Sequence, residues 1–421
     1  MIDLLHQIFL SSTGVNTDTR TIEKGQVFFA LSGENFDGNL YMEEALKQGA
    51  VHAVSNDSKW DKDDRVTVVK EVLQCLQQLA TFHRHHINIP IIGLTGSNGK
   101  TTTKELILSV LSTQFNVKGT EGNLNNHIGV PLTLLSFNSS HQIGVVEMGA
   151  NHPKEIAALC EIAQPNFGLI TNYGKAHLEG FGGVEGVKTS KSELYDFLRK
   201  SKGTAIIGRW DPEQIVRSVG IQQVFTPENT SLYQETPFIT FITEGNLIKT
   251  HLTGVYNYHN ALFAFTMGLI MDMKLENIVE GIKSYVPSNN RSQIIEVGKT
   301  KIILDAYNAN PSSMKVAIEN LAIQEYPHKV AVLGDMFELG EYTLEEHQNI
   351  TKLAEDLKIN DIFLIGEHFS KPTTSYALQF KGLDDFCSSY KIHTDKEQVI
   401  LIKGSRGMGL ERLLKDQEWL S

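Results

Sequence analysis

The run Ile91-Ile92-Gly93-Leu94-Thr95-Gly96-Ser97-Asn98-Gly99-Lys100-Thr101-Thr102-Thr103-Lys104-Glu105 constrains the fold more than any other stretch of the 421 residues. It reads as a buried strand, a glycine-bracketed turn and a helix start, the unit from which parallel α/β sheets are assembled. It is also a phosphate cradle. Gly96 and Gly99 let successive backbone N–H groups face one anion, the opening helix adds its positive dipole end, and Lys100 supplies a point charge for terminal phosphates. Thr101 is placed to hold Mg²⁺ through its hydroxyl. The strict Walker A pattern asks for glycine five residues before Gly99, where Leu94 stands, so the mechanical parts are present without the full pattern. Thr95, Gly96, Ser97, Asn98, Gly99, Lys100, Thr101 and Thr102 are the expected nucleotide contacts. A turn that merely ended a core strand would leave the lysine and the threonines behind it without a purpose.

A chain of this length exceeds one ordinary core, and two to four domains are expected. With 41% hydrophobic and 21% charged residues, neither disorder nor a coiled coil is indicated. The net charge of −11 argues against nucleic acid or an anionic membrane as the main partner. Cys75, Cys160 and Cys387 are widely separated and lack CxxC spacing, so they read as core thiols, not as a disulfide framework or zinc site. The N-terminal MIDLLHQIFLSS has no basic leader, and no apolar run approaches the ~18 residues of a membrane span. The cytoplasm is the expected compartment and a monomer the expected state.

Residues 1–88 alternate β-rich runs (Gln26 to Leu31, Ala50 to Val54, Val66 to Val69) with helical patterns (Met42 to Lys47, Val72 to His83), a small α/β domain. Asn88-Ile89-Pro90 marks a boundary, because proline disfavours helix in the residue before it. A central domain over 89–286 then carries the cradle. Its further strand candidates, Ile143 to Glu147 and Phe167 to Thr171, are separated by helical material. Ligands in such sheets sit at the carboxyl ends of strands, so Glu147 and the loop from Asn172 to His177 should face the cradle. The polar run Val286-Pro287-Ser288-Asn289-Asn290 marks a second boundary. Beyond it, 287–421 reads as a Rossmann-like domain with strands at Ile302 to Asp305, Val330 to Leu333, Ile362 to Ile365 and Val399 to Ile402.

Glu147 offers a carboxylate at a strand end behind the cradle, where MgATP needs oxygen ligands beyond its own phosphates. His177 closes a loop in the same domain. Lys191 lies in Lys188-Thr189-Ser190-Lys191-Ser192-Glu193-Leu194-Tyr195, a helical pattern whose lysines would ordinarily face solvent. Asp305-Ala306-Tyr307-Asn308-Ala309-Asn310-Pro311 suits either a ligand-facing loop or a plain connector. Lys403-Gly404-Ser405-Arg406-Gly407 is either an anion contact or an exposed basic turn.

Together these pieces resemble the Mur ligases, over nearly the whole chain. The resemblance includes Asp18-Thr19-Arg20, Phe28-Phe29-Ala30-Leu31 and Asp37-Gly38, the cradle, Asn123-Leu124-Asn125-Asn126 and Gly129-Val130-Pro131. It continues through EMGANHPKEI (Glu147 to Ile156), TNYGKAHLEGFG (Thr171 to Gly182), the Lys191 helix, DAYNANPSSM (Asp305 to Met314) and KGSR (Lys403 to Arg406). EMGANHPKEI and DAYNANPSSM are similar to the branch that joins D-alanyl-D-alanine to UDP-N-acetylmuramoyl-tripeptide (UDP-MurNAc-tripeptide). The resemblance implies a UDP-holding domain, a central ATPase, and a third domain that closes over the nucleotide. It implies ATP and Mg²⁺, an acyl-phosphate route to an amide, and Lys100, His177 and Lys191 as catalytic residues. Thr101 and Glu147 would hold one Mg²⁺, with a second near His177 and a carbamylated Lys191. Asn257, Asn260, Arg291 and Asn308 would contact the nucleotide, Asn308 together with Asn310 and Arg406 reaching nucleotide or substrate only after closure.

Three positions depart from the family's usual residues: Asn39 and Tyr256 stand where histidine is common, and Asn290 where glycine is frequent. A ligase with another amino donor is the nearest competing reading, but the Asp-Asn-Pro-Arg run associated with diaminopimelate addition is absent. A non-catalytic nucleotide-binding subunit would not need Lys100, Thr101, Glu147, His177 and Lys191 together, nor a plain kinase Lys191 and DAYNANP.

Overall fold

In the computed structural model, which describes residues 1–288 and 290–419, the main apolar strand runs pair within three separate sheets. The first orders Val15–Asn16, Val27–Phe29, His52–Ser55 and Val66–Val68, every neighbouring pair parallel. Side chains alternate across a strand, so Val27 and Phe29 pack toward helix Val72–Ile87 while Phe28 meets Met42 and Ala45 of helix Met42–Gln48. The two-residue strand Val15–Asn16 is too short to leave a periodic signal. Helix Ile2–Ser11 buries Leu5, His6 and Phe9 at helical spacing against the same core.

The central sheet runs Gln222–Phe225, Thr204–Ile207, Phe167–Ile170, Ile91–Thr95, Ile143–Glu147, Val117–Gly119, all parallel. Ile91–Thr95 and Ile143–Glu147 are buried throughout, which is why they read as continuous apolar runs and not as alternation. The chain leaves Ile91–Thr95 to build one side of the sheet and returns to build the other. The carboxyl ends of the three middle strands therefore frame a crevice where strand order reverses. Behind them, helix Leu275–Ser284 touches cradle helix Lys100–Leu111 backbone to backbone at Gly281, where a Cβ would lie 2.4 Å from Val110 Cα. An antiparallel meander of Thr230–Gln234, Thr240–Thr243 and Asn246–Lys249 adds Phe241 and Ile248 to that core. Its polar alternation gave no strand signal in the sequence.

The third sheet orders Gln293–Val297, Thr300–Asp305, Gln398–Lys403, His328–Gly334, Asp361–Ile365 and Leu378–Phe380. Its first strand is antiparallel to its neighbour and the rest are parallel. Asn290 enters it with φ 58°, a left-handed backbone that glycine takes freely and asparagine tolerates better than most residues, which accounts for that departure. Asn289 of the same boundary run, and residues 420–421, lie outside the described residues. Of the cysteines, Cys75 and Cys160 are buried and Cys387 only partly so. No helix among the described residues is long and apolar enough to cross a membrane.

The N-terminal helix is fastened by a histidine pair. His83 Nε2 lies 2.9 Å from the Phe137 carbonyl and His6 Nε2 lies 3.0 Å from His83 Nδ1. A carbonyl only accepts, so His83 carries its proton on Nε2 and receives one from His6 on Nδ1. Both rings are neutral in this arrangement. Burial, then the neighbouring His83 and His86, lower the His6 pKa to about 4, against a small opposing effect of Asp3. The unfolded chain protonates His6 near 6.5, so this contribution is complete above that pH and is lost as pH falls from 6.5 toward 4. At pH 5 the loss from His6 should be roughly 2 kcal/mol. Urea unfolding at pH 7 and pH 5 should show a stability drop that is smaller by about that amount in His6→Leu, whatever the variant's stability at pH 7. Equal drops in the two proteins would contradict the pair's role.

Candidate active site

The cradle is shaped by the loop beside it. Gly96 has φ 144°, and a Cβ there would fall 1.9 Å from Thr171 Oγ1. Ser97 N donates to the Asn172 carbonyl, Asn98 N to Asn172 Oδ1, and Thr171 Oγ1 and Asn172 Nδ2 both donate to the Asn98 carbonyl. Gly99, at φ 77°, caps helix Lys100–Leu111 with its Cα against Asn260, where a Cβ would lie 2.8 Å from Asn260 Oδ1. A helix's first-turn amides have no intrahelical acceptor, so those of Lys100, Thr101 and Thr102 form an anion-facing end. Lys100 Nζ donates to the Gly96 carbonyl at 2.7 Å, keeping the ammonium at the loop's lip. Burial and Arg291 lower its pKa, and Glu147 raises it.

Glu147 is 2% exposed at the end of its strand. Its carboxylate oxygens are met by neutral donors, Thr101 Oγ1 at 2.8 Å and Asn125 Nδ2 at 2.7 Å, while Thr120 Oγ1 accepts from its backbone amide. A buried carboxylate beside a hydroxyl and satisfied only by neutral groups fits a divalent cation, as does their position against the cradle. Among the described residues no cluster of three or more His, Cys, Asp or Glu forms an all-protein metal cage. A cation here would draw further oxygens from the nucleotide, as Mg²⁺ sites commonly do.

Lys191 is not the solvated residue that its helical pattern suggested. In helix Val184–Ser201 it falls on the buried stripe Val187, Lys191, Leu194, Tyr195 and Leu198, and it is 1% exposed. The spacing of those apolar residues was the available signal. Its Nζ donates to the Ala150 carbonyl at 3.2 Å and lies 5.0 Å from the Phe181 ring centre. Burial, reinforced by Lys100, lowers its pKa well below the ordinary lysine value. Lys191 stands behind a cavity of about 1410 Å³ whose wall includes Ala150 and Glu155.

That cavity brings together most of the expected residues. Ser97 to Thr102, Glu147 and His177 line it from the central domain, and Arg291, Asn308 and Asn310 from the third. Thr95 and Gly96 support it from beneath. Asn257 is buried, donates to the Thr253 carbonyl and accepts from Asn260, so it orients Asn260 and does not itself line the space. Tyr256, where histidine is usual, bonds Ser292 at 2.8 Å and so links helix Val255–Ile270 to the segment beside Arg291. Arg406 is exposed, paired with Glu411 at 3.1 Å, and not on the cavity wall. Lys403 from the same run does line it, held by Asp305 at 2.6 Å.

The two walls already touch. Asn310 Nδ2 donates to Asn98 Oδ1 at 2.7 Å, the Lys175 amide donates to Ser312 Oγ at 2.8 Å, and Lys175 pairs with Glu346 at 2.6 Å. His177 Nδ1 meets Glu338 Oε2. Trp210 and His259, which sequence reading did not single out, stack at 4.0 Å and 8° on the cavity wall, with burial lowering the His259 pKa to about 4. Neither carries a motif, and their approach is purely tertiary.

Three family models match the chain in succession: Mur ligase family, catalytic domain, over residues 11–84; Mur ligase middle domain over 94–268; and Mur ligase, glutamate ligase domain, over 290–406. The UDP-N-acetylmuramoyl-tripeptide–D-alanyl-D-alanine ligase of Bacillus subtilis strain 168 is 33% identical, the match covering 96% of this chain and 92% of that one. Its Escherichia coli K12 counterpart is 32% identical over 95% and 92%. A crystal structure of MurF from Acinetobacter baumannii superposes with a TM-score of 0.85 at 30% identity, covering 98% of this chain and 97% of that one. MurF from Thermotoga maritima in complex with ADP gives 0.84 at 26%, covering 97% and 98%. A chain that carries this cradle, this strand-end carboxylate and this third-domain wall, and that aligns end to end with such relatives, belongs to the Mur ligase family, among its MurF ligases.

Proposed function

We propose that the chain is an ATP-dependent ligase that joins D-alanyl-D-alanine to the terminal carboxylate of UDP-MurNAc-tripeptide in cytoplasmic peptidoglycan precursor synthesis, acting as a monomer. The observation that carries this reading is the single cavity in which the cradle and Glu147 face Asn308 and Asn310 of the DAYNANP run. The domains are taken as 1–88 for the UDP end of the substrate, 89–286 for ATP, and 287–421 for closure.

An amide does not form spontaneously from a carboxylate and an amine in water, so the carboxylate is first activated. Its oxygen takes the γ-phosphoryl group of ATP, giving an acyl phosphate and ADP. The dipeptide amine then attacks the acyl carbon, and the tetrahedral intermediate collapses to amide and phosphate. The protein's part is positioning and charge. Gly96, Ser97, Asn98, Gly99 and Thr102, with Thr95 beneath them, fix the phosphates, and Lys100 spreads the charge of the transferring group. Asn257, Asn260, Arg291 and Asn308 hold the nucleoside side. Thr101 and Glu147 would hold one Mg²⁺ and His177 a second, ions that neutralise phosphate charge when bound. Closure of the third domain keeps water from the acyl phosphate.

Lys191 is read as a carbamate. Its neutral amine attacks CO₂, a C–N bond forms as one C–O π bond opens, and a proton leaves to water, converting a buried neutral amine into an anion near the Lys100 end of the site. Removal of that side chain should lower turnover at least ~100-fold, and acetate should restore part of it by supplying the missing oxygens. Full activity in Lys191→Ala, or an active Mg²⁺-loaded enzyme with an unmodified Lys191 in bicarbonate buffer, would end the carbamate reading.

Lys100→Ala should lower kcat by roughly 10² to 10³ while the protein stays folded; near-wild-type ligation would remove the cradle assignment. The amino donor is tested by phosphate release with UDP-MurNAc-tripeptide and ATP. D-Alanyl-D-alanine should support turnover, and free lysine, diaminopimelate and glutamate should not. Efficient turnover with any of those three would move the chain to another branch of the family.

A further inference from the structure

Glu338 is the acidic residue of the third domain that meets His177 on the cavity wall. It follows strand His328–Gly334 in a loop fixed at both ends, with Met336 and Leu339 buried, the Met336 amide donating to His347 Nε2 and the Phe337 amide to Ser405 Oγ. Between those anchors Glu338 takes φ 60°, a left-handed conformation that a glutamate adopts at a cost and that surrounding structure must enforce. The turn is pressed against the central domain, since the Glu338 carbonyl accepts from Glu179 N at 3.4 Å and a Cβ on Gly340 would lie 3.2 Å from Glu179 Cβ. His177 also has a positive φ, 51°, and caps the short helix Leu178–Phe181. Two non-glycine residues in left-handed backbone, one from each domain, meet through Nδ1 and a carboxylate oxygen.

A carboxylate accepts a hydrogen bond, so the proton of a neutral His177 resides on Nδ1 and the Nε2 lone pair is free. That is the usual arrangement behind a metal-bound histidine, where an outer carboxylate selects the tautomer and fixes the ring. We propose that Glu338 is a positioning residue for His177: only with the third domain docked is the ring held in the tautomer that can ligate a cation, so domain closure completes the second metal place. The inference rests on the reading of His177 as a metal ligand. Its bond to His177 is also the main reason the Glu338 carboxyl lies below the ordinary glutamate range.

The test uses full-length enzyme with a non-hydrolysable ATP analogue. Mn²⁺ binding is counted by electron paramagnetic resonance, and the His177 tautomer is read from ¹⁵N-histidine spectra of the metal-free protein, with His177→Ala for assignment. Wild type should bind two Mn²⁺ and show the Nδ1–H form. Glu338→Ala should weaken the second Mn²⁺ roughly 10- to 100-fold, leave the first unchanged and shift the ring toward Nε2–H. Glu338→Gln, which keeps a neutral acceptor, should fall between. If His177→Ala retains both ions, the ligand reading itself fails. If His177→Ala loses the second ion while Glu338→Ala keeps it, or loses it with the tautomer unchanged, the positioning role is overturned and the ligand reading stands.

Discussion

The site is organised around one buried charge. Glu147 sits at the end of a strand enclosed on both faces, where an ionised carboxylate without partners would be severely destabilising. Two donors compensate it, Thr101 from the cradle helix and Asn125 from the loop after Val117–Gly119, while Thr120 of that loop fixes its backbone by accepting from its amide. Meeting those bonds fixes where the helix begins relative to the sheet, and hence where Lys100 and the first-turn amides lie. Neutral donors reduce the cost of such a charge without cancelling it. A divalent cation on the same oxygens would complete the compensation, so the residue that the fold must stabilise is also the one that, on the proposed reading, would hold the metal.

What the sequence disclosed follows from the same physics. The cradle was legible because glycine, lysine and threonine stand in fixed phase behind an apolar strand, and each residue type has a local reason to be there. Ile143–Glu147 and His328–Gly334 were legible because strands covered on both faces keep long apolar runs. Val15–Asn16 and Leu378–Phe380 are too short for any period, and the meander at 230–249 alternates too weakly. Lys191 was misjudged by its residue type, since lysines on helices usually face water, although the stripe of Val187, Leu194 and Leu198 placed it inside. Trp210 with His259, and His177 with Glu338, are brought together by tertiary approach alone, and no window of sequence holds both partners.

Part of the seam between the central and third domains is polar, although the apolar cluster that holds Leu178 and Phe181 of the central domain also takes in Met336 and Leu339 of the third. Asn310 to Asn98, Lys175 to Ser312 and Glu346, and Asn320 to Thr253 are hydrogen bonds and one ion pair. Groups of this kind exchange a protein partner for water at small net cost. Separation at these polar contacts therefore changes free energy less than separation of an apolar contact of equal size would. A ligand that touches both walls shifts that balance by its differential affinity for the closed state. The cradle offers its contacts in either state. On the proposed reading Asn308 and Arg291 would add nucleotide contacts only when the third domain is in place, so that nucleotide binding and closure would favour one another through the same residues.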